Sequence, residues 1–329
     1  MKNLYIIAET ACSHDGSLSR LKRMIKFAVD AGFDAIQLQI WKKDKMLAQD
    51  HKDFNLLKKI EINYAKWQKI FNYIRSLSKK IDIICCVYEL DTIKFCLKNK
   101  IKFYKIHSSD VGNIFLLKYL SSKAKRIDLS IGGCTNKEIT KAVNTIKNKN
   151  CDVWLMYGIQ LFPTDPKKIN LTYYKKFSSK LKLQLGYQDH SKFDLSGYCV
   201  PSAAIGSGVK IIEKHITDFN FRKRTDGESA IEIKNYKNFV DLCRISSDFI
   251  SEKNKKFSKS DLKYRDYSKK KIFFGKDLSK NHKIIEKDLV FLRTSKKGII
   301  IDNLYKVLKK KLKRNVKKLQ VLTPNIINR

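Results

Sequence analysis

The sequence predicts an α/β fold: a (β/α)8 TIM barrel over residues 1–250, a polar linker over 251–270 and a small α+β domain over 271–329. Three observations carry this expectation. Short apolar runs alternate with amphipathic helical patterns through the first two-thirds of the chain. The turn after the first run, Thr10-Ala11-Cys12-Ser13-His14-Asp15-Gly16, lacks the glycine-rich phosphate fingerprint of an open doubly wound sheet. Beyond residue 250 the chain turns Lys- and Ser-rich, then ends in a short segment with an internal echo.

Eight candidate strands occupy 4–9, 34–40, 81–87, 102–107, 126–131, 152–157, 183–187 and 209–215. Helical faces lie between them. Leu21, Met24, Ile25, Ala28 and Val29 share one face, started near Ser17 and Ser19 and stopped at Gly32. Trp67, Ile70, Phe71, Ile74 and Leu77 form another, Ile139, Ala142, Val143 and Ile146 a third. Tyr236, Phe239, Val240 and Cys243 align over about 234–250. Alternating elements imply a parallel sheet covered by helices, and eight such units in about 250 residues have the size of a closed barrel.

The stretch Ser251–Lys271 reads as linker. After it, Asp277-Leu278-Ser279-Lys280 through Asp288-Leu289 resembles Asn315-Val316-Lys317-Lys318 through Ile326-Ile327. That register pairs Leu278 with Val316, Ile284 with Leu322 and Leu289 with Ile327. The lysine run from Lys306 to Lys318 carries Val307, Leu308, Leu312 and Val316, and reads as the solvated side of an amphipathic helix plus a strand. A domain of about 60 residues is marginal alone and gains stability by docking on a partner.

Composition narrows the function classes. With 43% hydrophobic and 11% aromatic residues the chain is globular. No apolar run approaches membrane-spanning length, and the opening Met1-Lys2-Asn3-Leu4-Tyr5-Ile6-Ile7-Ala8-Glu9 meets a carboxylate too soon for a secretory leader, so a cytoplasmic address is expected. Eight cysteines show neither a C-x-x-C pair nor zinc-like spacing and read as reduced core thiols. The net charge of +37 raises nucleic acid as a partner, but the lysines are scattered, and a positive field equally serves an anionic substrate.

In a barrel, chemistry sits at the C-terminal ends of the strands. Those ends carry Glu9, with His14 behind it; Gln37 and Gln39; Lys105, Ser108, Ser109 and Asp110; Ser130; Asp189 and His190; and Glu213, Lys214 and His215, with Asp226 in the loop after the last strand. Closure makes strands 7, 8 and 1 neighbours, which brings His190, His215 and Glu9 together. Two imidazoles with carboxylates nearby suit a divalent ion such as Mn²⁺ or Mg²⁺. Taken singly, either histidine reads equally well as a hydrogen-bonded structural residue. Lys105 and its serines suit a phosphate or carboxylate, or an ordinary ion pair. Glu9 is placed to handle a proton, or to form a structural pair. From the residues alone this is a metal-dependent barrel enzyme acting on a small anion.

The same positions resemble the N-acetylneuraminate (sialic acid) synthase family. Ile7-Ala8-Glu9 with Ser13-His14-Asp15-Gly16-Ser17 is similar to its opening I-A-E…N-H-x-G-S. Tyr104-Lys105-Ile106-x-Ser108, Leu129-Ser130-x-Gly132, Phe162-Pro163-Thr164, Gly186-x-x-Asp189-His190 and Ile212-Glu213-Lys214-His215-x-Thr217 follow in family order. Lys276-Asp277-Leu278 and Arg293 resemble the antifreeze-like (SAF) domain that ends these enzymes. The resemblance implies that phosphoenolpyruvate condenses with an N-acetylated hexose to give a nonulosonic acid and phosphate. It implies that His190 and His215 hold the metal, that Glu9 is catalytic, and that Lys105, Ser108, Ser130, Gln37 and Gln188 face phosphoenolpyruvate. Gln39, Asp110, Gln160, Phe162 and Asp226 fall on the sugar side, with Arg293 supplied across a domain-swapped homodimer.

The sequence also departs from that pattern. Gln37 stands where a phosphoenolpyruvate-binding lysine is usual, Gln188 replaces a serine, Gln160 an asparagine and Phe162 a tyrosine. Arg224-Thr225 replaces Gly-Pro, and Arg293 lacks the Pro-Gly that normally follows it. Losing one charge-assisted phosphate contact costs about 1.5–3 kcal/mol unless another cation, such as Arg222, Lys223 or Arg224, substitutes. These changes predict an altered acceptor sugar; the alternatives are a non-catalytic sugar-binding or regulatory homologue and, on charge alone, a polyanion binder.

Overall fold

Strand β1 (Tyr5–Glu9) hydrogen-bonds in parallel to both β2 (Ala35–Ile40) and β8 (Ile211–Thr217), so the sheet closes on itself. Between them run β3 (Asp82–Val87), β4 (Phe103–Ile106), β5 (Arg126–Ser130), β6 (Asp152–Tyr157) and β7 (Gln184–Asp189), each paired in parallel with the next. In this computed structural model the described residues are 4–147, 150–250 and 257–328. Met1-Lys2-Asn3, used above against a leader, and 251–256, the start of the expected linker, lie outside them. The chain divides into two compact units, Met1–Ser251 and Glu252–Arg329.

Helices follow the strands in the expected alternation. They are α1 (Leu18–Ala31), the short α2 (Lys43–Met46) and α3 (Phe54–Ile60), α4 (Tyr64–Leu77), α5 (Leu90–Lys98), α6 (Ile114–Ser121), α7 (Asn136–Lys147), α8 (Leu171–Leu181), α9 (Leu195–Gly206) and α10 (Tyr236–Phe249). In α1 the Ser17 side chain accepts from the Arg20 amide, and Gly32 ends the helix at φ 90°. Leu21, Met24, Ile25 and Ala28 are buried on its inner face. The faces foreseen for α4, α7 and α10 are buried likewise, Leu77 only in part.

All eight strands fall within two residues of expectation. Strands β7 and β8 run two residues further than predicted, to Asp189 and Thr217. Their polar ends are buried, so they do not look strand-like in one dimension.

Inward-facing residues form three levels. At the floor the Arg126 guanidinium lies 3.7 Å from the Trp154 ring centroid, 4.6 Å from Phe103 and 5.0 Å from Tyr5. It also donates to both Asp128 carboxylate oxygens, at 2.8 and 3.1 Å. Above it Ile7, Ala35, Ile84, Met156 and Ile211 make an apolar middle. The third level is polar, and it forms the site described below. The barrel is thus a plugged core open at one mouth.

In the second unit β9 (Lys271–Phe274) pairs antiparallel with β10 (Leu289–Leu292). The internal echo is borne out. Leu278 and Val316 exchange both backbone hydrogen bonds, at 3.0 and 2.9 Å, and all six paired positions are buried. Two expectations are corrected. The stretch 306–318 is not a helix: Ile301–Lys306 is a 3-10 turn, and Lys309, at φ 68°, breaks any continuation. Val307 reaches the core from a turn instead, and Leu312 and Val316 reach it from short antiparallel bridges to Ile327 and Leu278. The stretch read as linker contains α11 (Lys259–Ser268), started by a Ser258–Asp261 capping box. None of its residues is buried, so it left no hydrophobic periodicity to read.

Among the described residues no helix is long and apolar enough to cross a membrane. All eight cysteines are free thiols, five of them buried.

Candidate active site

A cavity of about 260 Å³ opens at the C-terminal mouth of the barrel. Nine predicted residues line it: Glu9, Gln39, Lys105, Gln160, Phe162, Gln188, His190, His215 and Asp226. Alternation explains most of the set, because side chains at every second position of a strand point inward. On β2 that places Gln37, Gln39 and then Trp41 on one side; on β8 it places Ile211, Glu213 and His215.

The His190 and His215 ring centroids are 4.9 Å apart, and Phe162 packs against both at 4.5 and 5.4 Å. His190 Nδ1 lies 2.8 Å from the Ile159 carbonyl oxygen, to which it donates, leaving Nε2 as the lone-pair nitrogen. Burial lowers the pKa of His190 well below the ordinary value, helped by His215, and burial lowers His215 too. Both rings are therefore neutral at pH 7 and free to donate lone pairs. His215 Nε2 lies 3.7 Å from Glu9 Oε2. Among the described residues no three His, Cys, Asp or Glu side chains converge on one point. Two imidazoles with the rest of a shell left to water or substrate oxygens still fit a divalent ion.

Beside the imidazoles Lys105 is buried between two carboxyls. Its ammonium forms a short ion pair with Glu213 and lies 3.4 Å from Glu9 Oε2. Burial disfavours the charged lysine, but Glu213 and Glu9 outweigh it and raise its pKa. Burial also pushes Glu9 up; Lys105, Glu213, His215 and Gln39 overcome that and hold it well below the carboxylate range. Glu213 moves the other way, raised by burial and by the Glu9 charge against the pull of Lys105. The two carboxyls thus shift in opposite directions, which favours Glu9 as the charged member. Gln39 Nε2 donates to Glu9 Oε1 at 2.6 Å and fixes its orientation.

Other predicted residues sit elsewhere. Gln37 is fully buried and Ser130 lies beneath the cavity, where its hydroxyl donates to Gln188 Oε1 at 2.9 Å. Ser108 and Asp110 belong to a half-buried 3-10 turn after β4 and do not line the cavity. Arg293 is an exposed residue of the second unit. Asp189 points outward from the barrel to pair with Lys214 at 2.7 Å. Arg224, considered as a substitute cation, is engaged by Asp218 at 3.2 Å and Asp15 at 3.6 Å. His14 is structural: its Nδ1 accepts from the Gly16 amide at 2.9 Å. Gly16 itself has φ 75°, and a Cβ there would lie 3.2 Å from Ile60 Cα.

Asp226 owes its position to a stitched loop. Its carboxylate accepts from the Cys12 amide at 3.0 Å, while Thr225 donates to Asp15 and Ser13 to the Thr225 carbonyl. The sequence reading missed Cys12, Trp41, Met46, Asp53, Leu57, Tyr88 and His107, which also line the cavity. Trp41 and Tyr88, just past β2 and β3, were accessible by alternation. Met46, Asp53 and Leu57 come from the segment carrying α2 and α3, whose fold over the mouth leaves no sequence signal. A wider surface groove of about 1050 Å³, lined by Lys118, Lys137 and Lys141, holds no buried ionisable group.

Comparison with known proteins places this geometry. The N,N'-diacetyllegionaminic acid synthase of Legionella pneumophila is 26% identical over 308 residues, spanning 88% of this chain and 85% of that one. The pseudaminic acid synthase of Campylobacter jejuni is 24% identical over 311 residues, with 89% and 88% covered. The crystal structure of an N-acetylneuraminic acid (sialic acid) synthetase from Leptospira borgpetersenii, in complex with citrate, matches with a TM-score of 0.73 at 26% identity, covering 80% of this chain and 91% of that one. The NeuB family model matches residues 24–255, well over half of the sequence. This chain belongs to the NeuB family.

Proposed function

We propose that the protein is a nonulosonic acid synthase that condenses phosphoenolpyruvate with an N-acetylated hexose and releases phosphate. The observation that carries this is the neutral, facing pair His190 and His215 beside an ionised Glu9 and a buried Lys105. Relatives named as legionaminic and pseudaminic acid synthases support the product class. In the reaction the methylene carbon of phosphoenolpyruvate bonds to the acceptor aldehyde carbon; water then adds at the enol carbon and phosphate leaves with C–O cleavage.

His190 and His215 would hold a divalent ion, Mn²⁺ or Mg²⁺, which supplies a Lewis acid for the aldehyde oxygen. Glu9, kept ionised and oriented by Gln39, accepts a proton from the attacking water. Lys105 balances the Glu9 and Glu213 pair and offers its ammonium to the entering anion. Phe162 excludes water from the imidazole faces. Gln39, Gln160 and Asp226 contact acceptor hydroxyls from the cavity wall. The proposal includes an antifreeze-like role for the second unit, and a homodimer that light scattering on the full chain tests.

The direct test mixes purified protein with Mn²⁺, phosphoenolpyruvate and a panel of N-acetylated hexoses. Phosphate release with at least one acceptor is expected. Sugar binding without metal, unaffected by His190→Ala and with no phosphate released, would instead favour a non-catalytic homologue.

A further inference from the structure

Asp226 reaches the cavity from a loop whose backbone is held in costly shapes. The loops after β1 and β8 meet there, and four of their residues other than glycine have a left-handed φ: Ala11 at 42°, Asp15 at 44°, Asn220 at 56° and Asp226 at 58°. Such conformations persist only where surrounding contacts over-determine them. The second loop is also tightly closed, since a Cβ on Gly227 would collide with the Phe221 carbonyl oxygen.

An ion network supplies those contacts. Asp218, 1% exposed, meets Arg23 Nη2 at 2.7 Å, Arg224 Nε at 3.2 Å and Arg20 Nε at 3.3 Å. Asp15 meets Arg20 Nη1 at 3.0 Å and Arg224 Nη1 at 3.6 Å. Arg20 and Arg23 belong to α1, so the network ties that helix to both loops. Asp15 also accepts from the Thr225 amide and hydroxyl, at 3.2 and 2.9 Å. Arg224 alone joins both carboxylates from within the loop that carries Asp226, two residues away. Arg224 and Thr225 stand where the resembling synthases carry Gly-Pro. A proline ring fixes φ covalently, whereas here guanidinium–carboxylate contacts hold the loop.

We propose that Arg224 is a positioning residue: by joining Asp15 to Asp218 it sets the Asp226 carboxylate at the cavity wall, and through Asp226 it sets the affinity for the sugar. Arg224 itself does not line the cavity. The assignment rests on the reading of the cavity as a sugar site.

Two measurements on the full chain test it. Hydrogen exchange read by mass spectrometry follows segments 10–16 and 220–230 without any ligand, and calorimetry measures binding of N-acetylmannosamine. Arg224→Gln is expected to speed exchange in both segments and to weaken N-acetylmannosamine by about tenfold, the size of one lost hydrogen bond. Asp226→Asn should weaken it by a similar factor. The double variant should bind no worse than Asp226→Asn alone, because Arg224 works through that carboxylate. Arg224→Lys keeps the charge and should recover part of the affinity. Arg126→Met, at the barrel floor, lowers stability away from these loops and should leave the affinity unchanged, which separates positioning from stability.

If Arg224→Gln does not fold, Thr225→Val removes a hydroxyl contact to Asp15 and carries the same expectation. Unchanged exchange or full-strength binding in Arg224→Gln overturns the assignment, as does a double variant that shows the product of the two single losses. Failure of the unaltered chain to bind N-acetylmannosamine overturns the sugar-site reading together with it. A non-additive tenfold loss with no phosphate release from phosphoenolpyruvate upholds the positioning role and sinks the synthase reading instead.

Discussion

Ser130 donates a 2.9 Å hydrogen bond to Gln188, and the Gln188 amide passes it on to Glu213 at 3.1 Å. A position where the resembling synthases carry a small serine is here filled by a longer amide, which joins β5, β7 and β8 beneath the cavity. Gly158 lets the two backbones approach beside it: a Cβ there would lie 2.5 Å from the Gln188 backbone carbonyl oxygen.

Gln188→Leu should leave the Ser130 hydroxyl and Glu213 with fewer partners and lower stability by about 1–3 kcal/mol. Urea unfolding of the single variants and of Gln188→Leu/Ser130→Ala reads the coupling, expected at about 0.5–3 kcal/mol. Strict additivity would show that the chain carries no energy.

His190→Ala and His215→Ala should each weaken Mn²⁺ binding by more than about 100-fold, since loss of a ligand exceeds the loss of an outer partner. Calorimetry on the purified protein measures this without turnover. Unchanged affinity in either variant would remove that histidine from the metal site.

Gln37 is fully buried, and neither its Oε1 nor its Nε2 has a protein partner. Gln37→Met keeps the shape and removes the unpaired amide. Stability should rise by about 1–3 kcal/mol, read from the urea midpoint. A lower midpoint would mean the amide is solvated inside the barrel.

His14 is buried against Trp41 and Trp67, and burial lowers its pKa to about 4. The unfolded chain, with an ordinary value of 6.5, takes up the proton first as pH falls. The stabilisation from neutral His14 is complete above the unfolded value and is lost on descent through the window to about pH 4. The loss is about 3 kcal/mol. His190 and His215 act with the same sign. Denaturant titrations at several pH values should show this slope, and His14→Gln should flatten it.

Arg126→Met leaves Asp128 buried without its bidentate partner at the barrel floor. Breaking such a pair from one side should cost about 3–5 kcal/mol. Adding Asp128→Leu should recover much of the loss, because the second charge goes as well. Thermal unfolding of the two variants checks both statements, with no change expected in metal affinity.

The barrel was legible because its signals are local. Short apolar runs, the Ser17 and Gly32 caps and the stripe from Leu21 to Ala28 need no distant partner to be recognised. The ends of β7 and β8 and helix α11 were harder to read. The first bury polar residues, and the second buries nothing, so hydrophobicity carried no information about either.

The site divides along the same line. Sequence by itself determined which ionisable groups stand at strand ends, because chain order fixes the ends once the strands are known. Only the closed tertiary structure decided that His190 meets His215, that Lys105 is held between Glu9 and Glu213, and that Asp189 faces the other way toward Lys214. Those outcomes depend on ring closure and on strand register, where a shift of one residue turns every side chain to the opposite face. The fold of α2 and α3 over the mouth is set by packing of Leu57 and Ile60 against Trp41 and Tyr88, a contact that no single stretch of chain encodes.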